Sequence, residues 1–140
     1  MRTIVVGVDG SEPSIRALTF AASLVEDLRD AQLVIAHARY VSHLWAPEHL
    51  PEAEFGDLLD EAERFVREAA ERKLEGRDLR WSIERREGEP GHVLRDIAHE
   101  TDASFVVVGR RGWSTVEELM LGSVSNRLVH RSDVRVLLVR

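Results

Sequence analysis

Apolar runs typical of buried strands alternate along this chain with amphipathic segments typical of helices. Uninterrupted apolar and β-branched runs at 3–8, 32–38 and 104–108 indicate strands that are buried on both faces, and 134–139 predicts a further short strand. Residues 79–85 instead alternate apolar with polar positions. This alternation predicts a strand that lies at or near an edge of the sheet.

The segments between these runs predict helices. Apolar residues recur at helical spacing from Ser11 to about residue 31, from about Asp57 to near Gly76, and after Gly88-Glu-Pro90. Ser11 is the expected N-cap of the first helix. Residues 39–56 are expected to form a long connection. A short helical turn is expected at 116–121, followed by a last helix over about 123–131.

Alternating strands and helices predict an α/β fold, an open five-stranded parallel sheet with helices on both faces, in a single Rossmann-like domain over residues 1–140. Ligands of such sheets bind beyond the carboxyl ends of the strands, where the strand order reverses. If the first and fourth strands are neighbours there, Asp9 and Gly109 converge on one crevice. Asp9 then either contacts a ligand or only caps the Gly10-Ser11 turn.

The segment after the fourth strand, GRRGWSTVEELMLGSVS over 109–125, is the strongest functional signal. Two residues separate Gly109 from Gly112, and nine separate Gly112 from Gly122, which Ser123 follows. Backbone N–H groups in such a loop, together with a helix N-terminus, can bind phosphate closely. The sequence therefore predicts a phosphate-binding loop, and the alternative is a plain strand-to-helix connection.

Arg110 and Arg111 give the tip of this loop a local positive charge. They are more commonly solvated charges than phosphate clamps, but both are retained as candidate ligand contacts.

Composition excludes several other functions. The chain has no cysteine, which excludes disulfides, thiolate catalysis and Cys-zinc sites. The single lysine, Lys73, lies far from the glycine loop, so the loop is not of the Walker type. A net charge of −6 argues against nucleic-acid binding, and the histidines form no metal-ligand triplet. Because no apolar run could cross a membrane or form a signal-peptide core, we expect a cytoplasmic protein.

The chain resembles the universal stress protein family over nearly its whole length. Its opening segment, Ile4–Ser11, is similar to the family's first strand and loop. The glycine spacing of 109–123 resembles the ATP-binding signature of the family's nucleotide-binding branch. Residues 34–37 and 88–90 also fall where the family carries comparable segments. The resemblance implies an adenine-nucleotide α-hydrolase-like fold.

The resemblance also implies a role for each candidate residue. Asp9 would contact the nucleoside or hold a metal-bridged phosphate, Ala38 would contact adenine through its backbone, and Val108 with Gly109 would lie beside the ribose. The loop glycines and serines would wrap the phosphates. The complete predicted nucleotide-binding set is Gly7, Val8, Asp9, Ala38, Val108, Gly109, Arg110, Arg111, Gly112, Gly122, Ser123, Val124 and Ser125.

The leading hypothesis is an ATP-binding regulatory protein, with or without Mg²⁺, that hydrolyses ATP slowly at most because no phosphate-loop lysine or evident base is present. The resemblance further implies a homodimer formed through strand 134–139, although Arg135 stands where many relatives carry proline. A second hypothesis is an interaction module of the same fold that does not retain ATP. The third, a nucleotidyl-transferring enzyme, would need an activating histidine motif or a second substrate domain.

Overall fold

The computed structural model describes residues 1–40, 51–110 and 133–140. These residues form strands and helices in the order β1 (Arg2–Gly7), α1 (Glu12–Asp27), β2 (Ala31–Arg39), α2 (Glu52–Leu74), β3 (Arg80–Glu87), α3 (Pro90–Glu100), β4 (Phe105–Gly109) and β5 (Val136–Val139). The predicted helix segments at 116–121 and 123–131 lie outside the described residues.

The sheet is five-stranded and parallel, with the strand order β3-β2-β1-β4-β5. This arrangement confirms the predicted α/β fold. β1 lies at the centre, paired with β2 on one side and with β4 on the other, so the strand order reverses between β1 and β4. The alternating strand β3 is an edge strand, as its pattern predicts.

Two hydrophobic layers cover the faces of the sheet. Ile4 and Val6 of β1 pack with α1 and α2 on one face, whereas Val5 packs with α3 on the other. All three side chains are fully buried, and burial of each contributes about 1.5–3 kcal/mol relative to leaving it exposed. The apolar β1 run therefore fixes the central strand, and the carboxyl ends of its neighbours are positioned relative to it.

The second helix begins earlier than the sequence predicts. β2 extends to Arg39 and α2 starts at Glu52, so the prediction of a connection over 39–56 and a helix start near Asp57 is wrong. Pro51 occupies the N-cap position, where its fixed φ suits a helix start. Gly56 lies inside α2, and among residues 1–40, 51–110 and 133–140 no atom lies within 4 Å of its open side.

The first helix begins as predicted. Ser11 is the N-cap of α1, and its hydroxyl accepts a hydrogen bond from the Ser14 backbone N–H at 3.4 Å. The end of β4 lies directly against the first turn of this helix. A methyl group on Gly109 would stand 2.6 Å from the Pro13 carbonyl oxygen, which is closer than any ordinary contact. Only glycine lets β4 and α1 approach in this way.

We expect Gly109→Ala to lower the free energy of unfolding by about 1–3 kcal/mol, because the added methyl group must displace the backbone of α1. The matched control is Gly56→Ala, which should raise the stability by about 0.5–1 kcal/mol since it improves helix propensity in open space. Urea unfolding of both variants measures the two effects. Equal stability of Gly109→Ala and wild type would contradict the close approach.

Candidate functional site

The carboxyl ends of β1 and β4 meet at one edge of the sheet. Val6 of β1 is in register with Val107 of β4, and the strands end at Gly7 and Gly109. The Asp9 turn and the start of the 109–125 segment therefore leave the sheet side by side. The structure thus brings together Asp9 and Gly109, which the sequence expects to face one crevice.

Asp9 shapes the turn between β1 and α1. One carboxylate oxygen, Oδ1, accepts a hydrogen bond from the Ser11 backbone N–H at 2.8 Å. The Asp9 N–H donates to the buried Ser14 hydroxyl at 3.3 Å, and that hydroxyl donates to the Ser11 carbonyl at 2.9 Å. The proposed capping role of Asp9 is therefore present in the structure, and it fixes the direction of the carboxylate.

Gly10 completes the turn with a φ of +90°, a conformation that favours glycine. A methyl group on Gly10 would lie 2.9 Å from Cδ1 of Phe65, which is carried by α2. Phe65 is 50% exposed, so its ring covers the turn from the solvent side. Helix α2 therefore forms one wall of the region around Asp9.

Burial raises the pKa of the Asp9 carboxyl above its ordinary value of 3.8, although hydrogen bonds from Ser11 and Ser14 partly oppose the shift. Burial also lowers the pKa of His37, which favours the neutral ring. His37 Nδ1 lies 2.9 Å from the Val8 carbonyl oxygen. Because a carbonyl only accepts, Nδ1 carries the hydrogen, and the buried His37 ring donates a hydrogen bond to the end of β1.

Gly7 and Val8 form the buried base of this region. Gly7 approaches Leu94 of α3 so closely that a methyl group would lie 2.9 Å from the leucine Cδ1. The Val8 side chain is fully buried, its N–H donates to the Ala36 carbonyl at 3.0 Å, and its own carbonyl accepts from His37. Both residues therefore contribute to the site mainly by supporting the Asp9 turn.

Ala38 lies near the end of β2, beyond the last residue of β1. Gly7 is in register with Ala36, whose carbonyl points toward β1 and accepts from Val8. Since strand residues two apart point their backbone groups to the same side, the N–H and carbonyl of Ala38 also face the β1 side. They therefore face the space beyond the end of β1, whereas the Ala38 side chain is buried against the core.

On the other side of the crevice, Val108 and Gly109 are buried at the end of β4. The Arg110 N–H donates a hydrogen bond to the Val139 carbonyl at 2.9 Å, so this amide takes part in the pairing of β4 with β5. The Arg110 side chain is partly exposed. The other predicted residues of the loop, Arg111, Gly112, Gly122, Ser123, Val124 and Ser125, lie outside the described residues.

A cluster of ion pairs that the sequence does not predict lies beside Ala38. Arg39 contacts carboxylates of α2 and β3, and Glu63 of α2 also pairs with Arg85. Nothing in the spacing of these acids from Arg39 along the sequence indicates a contact. The sheet register, with Arg39 opposite Glu87, and the docking of α2 against the sheet together bring them into contact.

A separate groove of about 550 Å³ lies between α2 and β3, near the amino ends of the strands. Its lining includes Trp81 and three glutamates, Glu68, Glu71 and Glu75, with one arginine, Arg72. This charge opposes an anionic ligand. Within residues 1–40, 51–110 and 133–140, no three histidine or carboxylate groups assemble to hold a metal ion, and no helix is long and apolar enough to cross a membrane.

Comparisons with known proteins give a consistent result. The universal stress protein family model matches residues 1–140. Universal stress protein YxiE of Bacillus subtilis is 31% identical over 98% of this chain and 97% of its own length. Universal stress protein Rv1636 of Mycobacterium tuberculosis is 32% identical over 99% of this chain and 95% of its own length. A crystal structure of a universal stress protein in complex with cAMP has a TM-score of 0.73 at 30% identity, covering 99% of this chain and 97% of that one.

We expect Asp9→Asn to be more stable than wild type at pH 7, with a difference that shrinks as the pH falls toward 3.8. A raised native pKa means that the folded state binds the proton more tightly than the unfolded state. The stability contributed by that proton is therefore lost as the pH rises through the native pKa. Asparagine has no such charge, and its amide oxygen can still accept from Ser11.

Urea unfolding of the protein without ligand between pH 4 and pH 8 measures this difference. The control Asp9→Ala should be about 1 kcal/mol less stable than Asp9→Asn at every pH, since it lacks the turn hydrogen bond. A constant gap between wild type and Asp9→Asn across the pH range would show that burial does not disfavour the carboxylate.

Proposed function

This chain belongs to the universal stress protein family, and we propose that it is an ATP-binding regulatory protein whose nucleotide lies between the end of β1 and the glycine loop after β4. The observation that carries the proposal is the pairing of β1 with β4, which places Asp9 and Gly109 at the reversal of strand order. A relative of 30% identity that forms a complex with cAMP supports an adenine nucleotide as the ligand.

Each part of the crevice suits one part of the nucleotide. The backbone N–H and carbonyl of Ala38 match the polar edge of adenine, and the end of β4 at Val108 and Gly109 would lie beside the ribose. Asp9 stands between them, where it can accept a hydrogen bond from a ribose hydroxyl. The phosphates belong to the loop that follows, to backbone N–H groups and hydroxyls of Gly112, Gly122, Ser123, Val124 and Ser125, with Arg110 and Arg111 at its start.

The donor set near Asp9 fits a bound Mg²⁺. This ion keeps several waters and uses one or two protein carboxylates together with substrate phosphates. Asp9 supplies one carboxylate in a fixed direction, and the ion would screen its charge from the phosphates. Burial raises the pKa of Asp9, and a bound cation beside it would offset this by stabilising the charged form.

We propose binding rather than efficient catalysis, with slow ATP hydrolysis at most. His37 is the buried histidine of this region, and its Nδ1 hydrogen is donated to the Val8 carbonyl. Its lowered pKa and fixed orientation suit a structural contact. The chain has one lysine, Lys73, which is carried by α2 and exposed, so it gives the glycine loop no phosphate-binding lysine.

One observation favours the alternative, an interaction module that does not retain ATP. The contact between Gly109 and Pro13 explains the first glycine of the loop by packing alone. This explanation does not extend to the spacing of Gly112 and Gly122, which a plain connection does not need. Nucleotide binding therefore accounts for more of the sequence than the alternative does.

The proposal includes a homodimer formed through strand 134–139. β5 is an edge strand of four residues, and Leu138 is 38% exposed on it. An apolar strand edge readily pairs with another chain, and pairing with a second copy across a two-fold axis covers it. The opposite edge strand, β3, is protected by its charged side chains, including Arg85 and Glu87.

We expect the protein purified without added nucleotide, or titrated with ATP-Mg²⁺, to bind close to one adenine nucleotide per chain. Anion-exchange analysis of the denatured supernatant and titration calorimetry measure this. Gly122→Val should abolish binding, because a side chain at this position blocks the predicted phosphate approach, whereas Gly56→Ala in α2 should leave it unchanged. Absence of bound nucleotide and of any heat of binding would favour the interaction module.

We expect Leu138→Asp to convert the dimer to a monomer, since it places a charge in the strand pair. Sedimentation velocity at micromolar concentration measures the change. Phe65→Ser, which removes a more exposed apolar side chain on α2, should leave the dimer intact. A wild-type protein that sediments as a monomer would contradict this part of the proposal.

A further inference from the structure

Arg39, the last residue of β2, is held by carboxylates from two other elements. One guanidinium nitrogen lies 2.8 Å from Asp60 Oδ1 and 3.4 Å from Glu63 Oε1, both on α2. The Nε atom lies 3.8 Å from Glu87 Oε1 on β3. Arg85 of β3 adds a contact of 2.8 Å to Glu63. This Arg39 cluster joins β2, β3 and α2 at the carboxyl end of the sheet.

The Arg39 side chain is only 10% exposed, so its contacts are less screened by solvent than those of surface pairs. Burial by itself would raise the pKa of Glu63, but hydrogen bonds and charge from Arg85 and Arg39 outweigh it, and the pKa is lowered. The Glu63 carboxylate is therefore held in its charged form beside Arg39. Without the guanidinium, the acids of the cluster would repel one another.

The Arg39 cluster supports the last three residues of β2, which extend beyond the end of β1 and do not pair with it. β1 ends opposite Ala36, and the last three residues of β2 are in register only with β3, as His37 with Arg85, Ala38 with Arg86 and Arg39 with Glu87. The Arg39 carbonyl accepts from the Gly88 N–H at 3.2 Å. Arg39 is thus fixed through both its backbone and its side chain, directly after Ala38.

We propose that Arg39 is a positioning residue for base recognition, which holds the Ala38 peptide groups in the orientation that selects adenine over guanine. The inference rests on the proposed nucleotide-binding function. Adenine offers an acceptor at N1 and a donor at its amino group, which complement a peptide N–H and carbonyl. Guanine offers the reverse pattern, so a correctly placed backbone rejects it. Discrimination between the two bases requires well-aligned hydrogen bonds, because a hydrogen bond weakens steeply when its donor and acceptor are misaligned.

The test is the affinity of the full-length protein for adenosine, ATP and GTP, measured by calorimetry and, for GTP, by displacement of bound ATP. The variants are Arg39→Gln, Asp60→Asn and the control Arg77→Gln. Arg77 follows α2 and also makes side-chain contacts to another element, with Glu26 and Ser23 of α1, but at the opposite end of the sheet. Circular dichroism and thermal melting establish that each variant is folded.

Arg39→Gln should weaken adenosine and ATP binding by the same factor, about five- to tenfold, and lower the preference for ATP over GTP by a similar factor. Adenosine and ATP are expected to lose affinity equally because the effect of the substitution arises at the base, which they share, and not at the phosphates. Asp60→Asn, a milder change, should shift the preference in the same direction. Arg77→Gln should bind as wild type does.

Two results would overturn the inference while leaving the proposed function intact. One is an unchanged ATP-to-GTP preference in folded Arg39→Gln and Asp60→Asn, whether or not both affinities fall, and the other is a much larger loss for ATP than for adenosine. The last result would assign Arg39 to the phosphates. If Arg39→Gln does not fold, Asp60→Asn decides alone. If wild type binds neither adenosine nor ATP, the proposed function fails, and the inference fails with it.

Discussion

Pairing of the central strand β1 with β4 is the constraint on which the candidate site depends. The fully buried residues Val5 and Val6 commit β1 to the middle of the sheet, with helices against both faces. β2 pairs with one side of β1 and β4 with the other, so the segments that follow β1 and β4 leave the sheet next to each other. A crevice at this point follows from the connectivity and needs no special side chain. What the crevice binds is decided by the residues just beyond the strands.

Several residues at this edge serve the packing of the protein as well as the proposed ligand. Gly109 lets β4 contact the first turn of α1, and Asp9 accepts a hydrogen bond within its own turn. These structural roles do not compete with binding. The turn fixes the direction of the Asp9 carboxylate before any ligand arrives, and the close approach of α1 holds the end of β4. Preorganisation of this kind lowers the cost of ordering the site on binding.

Much of the architecture could be predicted because it depends on local patterns. The apolar runs fix the buried strands, the alternation at 79–85 identifies the edge strand, and Ser11 marks the start of α1. The start of α2 is hard to predict because Pro51 and Gly56 both resemble loop residues, although Pro51 occupies the N-cap position and Gly56 lies within the helix. The Arg39 cluster could not be predicted, since Asp60 and Glu87 are distant in sequence and meet Arg39 only through the sheet and the docking of α2.

The most direct test of the account is an amide ¹H–¹⁵N correlation spectrum recorded while ATP-Mg²⁺ is added. We expect the largest shifts at Asp9, Ala38 and Gly109, the three points where β1, β2 and β4 border the crevice, and no change at Trp81 in the acidic groove. Shifts centred on Trp81, or a spectrum that ATP leaves unchanged at saturating concentration, would contradict nucleotide binding at the reversal of strand order.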